Sequence, residues 1–215
     1  MTLEIDSVEL EYNGKKILYG IYIKLERGKI TGILGRNGSG KTSVLRILFG
    51  DLQPKYKNIR CNGKHLPGPL YTTGKIGYLP QYPLVPKELS MKRTFGLFNV
   101  PWGQFINIFE NFQEYGETRV KDLSSGEIRV METYLVLMSN KEIILLDEPF
   151  SFIAPIYIEK FKVLIQQVKK KSIIVLTDHF YNDILAISDT VYLLKNGCSK
   201  KIGDMKELKG LGYIN

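Results

Sequence analysis

Over the first 28 residues, apolar and polar positions alternate. Leu3 and Ile5, then Val8 and Leu10, are interleaved with polar residues, and Ile21, Ile23 and Leu25 alternate with Tyr22, Lys24 and Glu26. A period of two assigns one set of side chains to each face of a half-buried strand, so this stretch predicts short antiparallel strands, with Asn13-Gly14 as a hairpin turn. From residue 29 the pattern changes. Lys29 to Leu34 reads as an apolar strand, a glycine-rich turn follows, and Lys41 to Phe49 has the periodicity of a helix stopped by Gly50. A second hairpin is predicted around Ile59 to Lys64, with Asn62-Gly63 as its turn, and a further strand at Lys75 to Leu79.

Between residues 85 and 123 the chain turns helical and aromatic, and Trp102, Phe105, Ile106, Phe109 and Phe112 are spaced to share one helix face. A helix from Gly126 to about Met138 leads into Glu142 to Leu146, whose continuous apolar run Ile143-Ile144-Leu145-Leu146 suits a parallel strand buried on both faces. Pro155 fits the first turn of a helix running to about Lys170, Ser172 to Leu176 supplies another core strand, Phe180 to Ile187 a helix, and Val191 to Leu194 a last strand. The pattern predicts an α/β fold with a mainly parallel sheet and an antiparallel opening.

Composition narrows the class. At 215 residues the chain suits one large domain, and 44% hydrophobic with 24% charged residues excludes collagen-like and disordered chains. The longest uninterrupted apolar run, Tyr134 to Met138, is far short of the roughly 20 residues a membrane span needs, and the acidic start is the wrong chemistry for a secretory signal, so a cytoplasmic protein is expected. Cys61 and Cys198 lie far apart with no surrounding histidines, which argues against a zinc site. The net charge of +8 is compatible with nucleic acid or an anionic membrane face, although Lys169-Lys170-Lys171 and Lys200-Lys201 read first as solvated surface.

The chemistry concentrates in two places. Gly35-Arg36-Asn37-Gly38-Ser39-Gly40-Lys41-Thr42 fits the phosphate loop GxxxxGK(S/T), in which small residues let backbone N–H groups approach phosphates and the following helix adds its positive end. Lys41 is placed to neutralise β- and γ-phosphates, and Thr42 to offer its hydroxyl to Mg2+. Asp147 ends the apolar strand at its carboxyl edge, where it supplies a second metal-facing group, and Glu148 is placed to orient or deprotonate water.

Together with these two sites, Leu123-Ser124-Ser125-Gly126-Glu127 resembles the LSGGQ signature of the ATP-binding cassette (ABC) ATPases, and the likeness runs over nearly the whole chain. Gln81 matches the family's Q-loop, His179 its switch histidine, and Tyr12 the aromatic residue that stacks on adenine. The resemblance implies a phosphate-loop NTPase core of RecA type, with an antiparallel β subdomain at about 1–28 and 55–72 and a helical subdomain at about 85–138. It implies ATP and Mg2+ as ligands, held by Tyr12, Gly35, Asn37, Gly38, Ser39, Gly40, Lys41, Thr42 and Ser43, with Thr42, Gln81 and Asp147 toward the metal. Glu148, His179 and Gln81 would then be the catalytic groups.

It further implies a head-to-tail pair of cassettes in which Ser124, Ser125 and Gly126 of one close on the γ-phosphate held by the other, a homodimer by default. The partners would be separate transmembrane permease subunits, with this chain peripheral on the cytoplasmic face of the inner membrane and the partner selecting the cargo. The alternatives are a soluble ATPase acting on nucleic acid or ribosomes, and an ATP-binding regulatory subunit. The resemblance implies no direct nucleic-acid binding: family members acting on translation generally carry two cassettes in one chain, and those acting on chromosomes have a long coiled coil between the phosphate loop and the acidic strand, whereas here Lys41 and Asp147 are close in sequence with no heptad run between them. Three positions depart from the family pattern: Ala154 stands where an interface aspartate belongs, Ser125 replaces a glycine, and Glu127 replaces glutamine. They imply an ATPase of slow turnover. The C-terminal stretch from Lys206 to Asn215 is too short for a regulatory domain and has no assigned role.

Overall fold

The computed structural model describes residues 1–179 and 181–213. The chain opens with β1 (Thr2–Tyr12), β2 (Lys15–Leu18) and β3 (Tyr22–Glu26), then β4 (Ile30–Gly35), α1 (Lys41–Phe49), β5 (Tyr56–Cys61), β6 (Lys64–His65) and β7 (Ile76–Leu79). The helical stretch holds α2 (Met91–Leu97), α3 (Trp102–Ile108) and α4 (Ser125–Leu137). The remainder alternates: β8 (Ile143–Asp147), α5 (Pro155–Val168), β9 (Ile173–Thr177), α6 (Tyr181–Ile187), β10 (Thr190–Lys195), β11 (Cys198–Ile202) and α7 (Met205–Gly210).

Two sheets result. The first has the order β2-β1-β5-β6, with β3 also paired to β1, and every pairing in it is antiparallel. The second has the order β11-β10-β4-β9-β8-β7, parallel throughout except for β11 at its edge. The sheets meet along β3 and β11: Tyr22 N–H donates to Ser199 Oγ at 2.8 Å, Ser199 Oγ–H to Tyr22 O at 2.9 Å, and Lys24 N–H to Tyr192 Oη at 3.1 Å.

The central strands β4, β8 and β9 are buried along their whole length because both faces of the second sheet are covered. Strand alternation divides their side chains between two cores. Ile143, Leu145, Ile173 and Val175 join α1 and the antiparallel sheet, whereas Ile144, Leu146, Ile174 and Leu176 join the core built by α2 to α6. The parallel strands all end at the same edge, which sets the residues following β4, β7, β8 and β9 side by side.

Several elements differ from the pattern-based expectation. Leu3 to Leu10 form part of one long strand, not two short ones; the chain jogs at Ser7, held at φ 53°, where the pairing of β1 with β5 shifts register. The aromatic residues 102 to 112 do not share one helix. α3 ends at Ile108, Phe109 leaves helical geometry at φ −113°, ψ 69°, and a 3-10 turn over Glu110–Tyr115 carries Phe112. The rings still converge: Phe105 lies 4.8 Å from Phe95, 5.0 Å from Phe109, 5.2 Å from Phe112 and 5.1 Å from Tyr134. Their apolar area drives the cluster, and the backbone breaks to allow it. α5 stops at Val168, β11 and α7 have no counterpart in the pattern-based expectation, and Phe180, the expected start of α6, lies outside the described residues, as do residues 214 and 215 of the C-terminal stretch.

Candidate nucleotide site

The phosphate loop runs from the end of β4 into α1. Gly40 is the residue preceding α1 and holds φ 99°, a left-handed conformation that a side chain would strain. A Cβ there would also meet Leu18 Cδ2 at 2.7 Å. Lys41 is buried, and its Nζ donates to Gly35 O at 2.9 Å. Burial pushes the Lys41 ammonium below its ordinary range, and the carboxylates of Glu148, Asp147 and Asp178 only partly offset this. A buried cation ringed by a carbonyl and distant carboxylates is a ready counter-charge for a polyphosphate.

Asp147 is fully buried at the end of β8, where Thr177 Oγ1–H donates to its Oδ1 at 2.7 Å and Tyr78 Oη–H to its Oδ2 at 3.4 Å. Gln81, two residues past the end of β7, donates through Nε2 to Thr42 Oγ1 at 3.1 Å and to Asp147 Oδ1 at 3.4 Å. Thr42, Gln81 and Asp147 therefore form one cluster; the Thr42 hydroxyl and Asp147 carboxylate are hard oxygen donors of the kind Mg2+ prefers, and Gln81 joins them through its amide oxygen once its side chain turns from the Nε2 contacts seen here. Among the described residues no group of three or more His, Cys, Asp and Glu could hold a metal.

Glu148 follows Asp147 with φ 53°, a left-handed conformation rare for a residue with a side chain, secured by its N–H donating to Thr177 O at 2.9 Å and Thr177 Oγ1 at 3.2 Å. Ser151 Oγ–H reaches Glu148 Oε2 at 3.4 Å, and His179 Nδ1 lies 3.7 Å from the same oxygen and 3.5 Å from Asp178 Oδ1. Tyr12, Asn37, Gly38, Gly40, Lys41, Thr42, Ser43, Gln81 and Glu148 line a single cavity of about 490 Å3 together with Ile17. Tyr12 is half-exposed at its mouth. Gly35 lies behind the loop at the base of this arrangement, and Ser39 faces an adjoining cavity of about 430 Å3.

The signature residues stand elsewhere. Ser124 is the N-cap of α4, forming a reciprocal capping box with Glu127: Glu127 N–H donates to Ser124 Oγ at 3.3 Å, and Ser124 N–H to Glu127 Oε2 at 2.8 Å. The glutamate in place of glutamine therefore has a local structural use. Burial alone would push the Glu127 carboxyl up, but hydrogen bonds from Ser124 N–H, the Ser124 hydroxyl and the Tyr115 hydroxyl outweigh it and hold the carboxyl below its ordinary value. Gly126 is packed so closely that a Cβ would approach Phe152 O to 2.6 Å. Ser125 is exposed and lines a second cavity of about 350 Å3 with Gln81, Arg129, Glu148 and Phe152. Among the residues lining the phosphate-loop cavity, none comes from the start of α4.

Four residues unmarked by motif reasoning complete the site. Arg129 is buried on α4 and donates to three carbonyls: through Nη1 to Pro80 O at 2.7 Å, and through Nη2 to Glu148 O at 2.9 Å and to Asp147 O. It ties the end of β7 to the end of β8. Burial pushes its guanidinium down, opposed by Glu132 and the site carboxylates. Thr177 positions Asp147 and Glu148 as described, Asp178 accepts from Phe150 N–H at 3.1 Å, and Tyr213 Oη accepts from Gly35 N–H at 3.2 Å. The available signal for Arg129 was a lone cation on a helix otherwise rich in apolar residues; for the others the contact is long-range and leaves no local pattern.

Comparison with known proteins identifies the family and the fold. A family profile described as ABC transporter matches residues 18–151, and the chain belongs to that family. Among curated relatives, it is 27% identical over 208 residues to the high-affinity branched-chain amino acid transport ATP-binding protein BraG of Pseudomonas aeruginosa, covering 91% of this chain and 89% of that one. It is 27% identical to the lipopolysaccharide export system ATP-binding protein LptB of Acidithiobacillus ferridurans, covering 96% and 91%, and 28% identical to the zinc import ATP-binding protein ZnuC of a Wolbachia species, covering 99% and 88%. Its fold matches a solved ATP-binding subunit of an ABC transporter with a TM-score of 0.81 at 19% identity, covering 99% and 94% of the two chains. The ADP conformation of another such cassette matches with a TM-score of 0.77 at 21% identity, covering 98% and 94%. The chain is thus an ABC-type ATP-binding subunit with a phosphate-loop NTPase fold. Among the described residues no helix is long and apolar enough to cross a membrane.

Proposed function

We propose that this chain is the ATP-hydrolysing subunit that powers transport of a substrate through separate membrane-spanning subunits, working as a two-fold pair of cassettes on the cytoplasmic face of the membrane. The observation that carries the reading is a division of the site: Lys41, Thr42, Gln81 and Glu148 line the phosphate-loop cavity with Asp147 beside them, and no residue lining it comes from the capped start of α4, which faces a second cavity. In this reading the phosphate loop supplies its backbone donors from one side of a held phosphate. A second copy, turned head to tail, brings the positive end of its α4 with Ser124, Ser125 and Gly126 to the open side.

In this reading Tyr12 stacks on adenine, and the backbone N–H groups from Asn37 to Ser43 wrap the polyphosphate. Lys41 leaves the Gly35 carbonyl to neutralise the β- and γ-phosphates. Thr42, Gln81 and Asp147 hold Mg2+, which supplies charge neutralisation across those phosphates when bound. Glu148 accepts a proton from the attacking water, and His179, beside Glu148, contacts the γ-phosphate. Gln81 links the site to the helical part of residues 85–138, which with the antiparallel part at 1–28 and 55–72 flanks the nucleotide-binding core. Ala154 removes a carboxylate from the contact between copies, so the two sites couple weakly and turnover is slow.

Relatives named for amino acid, lipopolysaccharide and zinc transport share this cassette, so the cargo is set by the membrane partner. The test is co-purification of tagged Glu148→Gln protein from gently solubilised cells with Mg-ATP. A polytopic membrane protein in stoichiometric amount is expected; recovery of ribosomes or nucleic-acid-binding proteins instead would overturn the transport reading.

A further inference from the structure

The last described residues of the chain return to the phosphate loop. α7 is capped by Asp204, whose Oδ1 accepts from Glu207 N–H at 2.9 Å, and it is fastened by fully buried Leu208 and by a Lys200–Glu207 ion pair of 2.8 Å. The three residues that follow lie along the back of the loop. Lys195 Nζ donates to Leu211 O at 2.6 Å, Arg36 Nη2 to Gly212 O at 3.2 Å, and Gly35 N–H to Tyr213 Oη at 3.2 Å. The Tyr213 ring also meets the Tyr181 ring edge-on, with centroids 6.4 Å apart.

Gly35 is therefore held at both of its backbone polar groups. Its carbonyl accepts from Lys41 Nζ and its N–H donates to Tyr213 Oη. The ladder between β4 and β9 ends at the Ile33–Thr177 pair, while that between β4 and β10 runs on to the Gly35–Leu194 pair, so Gly35 is the last paired residue of β4, free of β9 and at the point where strand becomes loop. The two holds differ in fate: Lys41 must let go of Gly35 when it turns to phosphate, whereas nothing in nucleotide binding requires Tyr213 to move. Tyr181 begins α6, two residues after His179, so one tyrosine touches both the loop and the helix behind the histidine.

We propose that Tyr213 is a positioning residue for the phosphate loop, holding the Gly35 peptide in place so that the loop is preformed for polyphosphate when Lys41 releases it. This rests on the ATP-binding reading given above. A preformed loop loses less conformational freedom on binding, so the contact acts on affinity and not on the chemical step. Losing one neutral hydrogen bond of this kind corresponds to about five- to tenfold in an equilibrium constant.

The test compares the full chain with its Tyr213→Phe variant, which keeps the ring against Tyr181 and removes only Oη. The readouts are equilibrium binding of a fluorescent ATP analogue, KM and kcat for phosphate release, and exchange of the Gly35 amide proton by NMR. The expected result is an about fivefold rise in Kd and KM, kcat within twofold, and faster exchange at Gly35, with Tyr181→Phe close to the parent in all three. Equal Kd and Gly35 exchange in parent and Tyr213→Phe would overturn the proposal while leaving the ATP-binding reading intact. An equal loss of thermal stability with and without Mg-ATP, at unchanged Kd, would overturn it in favour of a purely structural contact. A parent chain that binds no ATP analogue would overturn both.

Discussion

Glu127 illustrates how one side chain serves a helix and a site together. Its carboxylate accepts from the Ser124 N–H and hydroxyl, and so fixes the first turn of α4 that carries Ser125 and Gly126. Removing the cap with Glu127→Ala should cost about 1 kcal/mol of stability, read by urea denaturation at neutral pH. Because the folded carboxyl titrates below its ordinary 4.5, its contribution is fully present above that pH and is lost as pH falls through the folded value. The gap between parent and Glu127→Ala should therefore close on acidification; a gap constant down to strongly acid pH would contradict the assignment. Phe152 poses the opposite case: it is 83% exposed yet held at φ 67° in the loop facing α4. Left-handed backbone costs a bulky residue roughly 1–2 kcal/mol, and glycine gives back roughly 0.5–1 kcal/mol through unfolded-chain entropy. Phe152→Gly should accordingly raise the thermal midpoint by about 1–3 °C, measured by calorimetry.

Among elements, α5 has the plainest defect. Its N-cap is Ala154, with extended backbone, Pro155 just inside the helix and no side-chain hydrogen bond to the first turn. Ala154→Asp supplies an acceptor and an acidic group beside the helix N-terminus, and should add about 1 kcal/mol to unfolding free energy; an unchanged denaturation midpoint would show that the first turn is already satisfied. Elements with strong local signal were legible in the sequence. β8 and β9 are continuous apolar runs, and α1 follows a glycine-rich turn. The edge strands β2 and β11 were not, because Lys15–Leu18 is only four residues long and Cys198–Ile202 is mostly polar, and their strand state comes from a neighbour's hydrogen bonds. The turn joining β10 to β11, Asn196-Gly197 with φ 49° and 71°, carries the same signal as the Asn13-Gly14 and Asn62-Gly63 turns. Aromatic spacing over residues 102 to 112 reported a shared core correctly but not the break at Phe109, since ring packing there outweighs helix continuity.

The whole molecule joins these parts through a sheet edge. Parallel strands bring Gly35, Gln81, Asp147, Glu148 and His179 together from four separate stretches of chain, and this part of the site could be read from motifs, because each motif ends a strand. The supporting residues Arg129, Thr177, Asp178 and Tyr213 act across the fold, through long-range contacts that no local pattern encodes. In the proposed pairing, the start of α4 of a second copy supplies the donors opposite the phosphate loop. Light scattering of the Glu148→Gln protein, with and without saturating Mg-ATP, tests this most directly. The account predicts a mass of 24.6 kDa without nucleotide and a doubling with it, abolished when Gly126→Ala is added. A Glu148→Gln protein that binds ATP and stays at the single-chain mass would contradict the pairing of two copies around shared nucleotide.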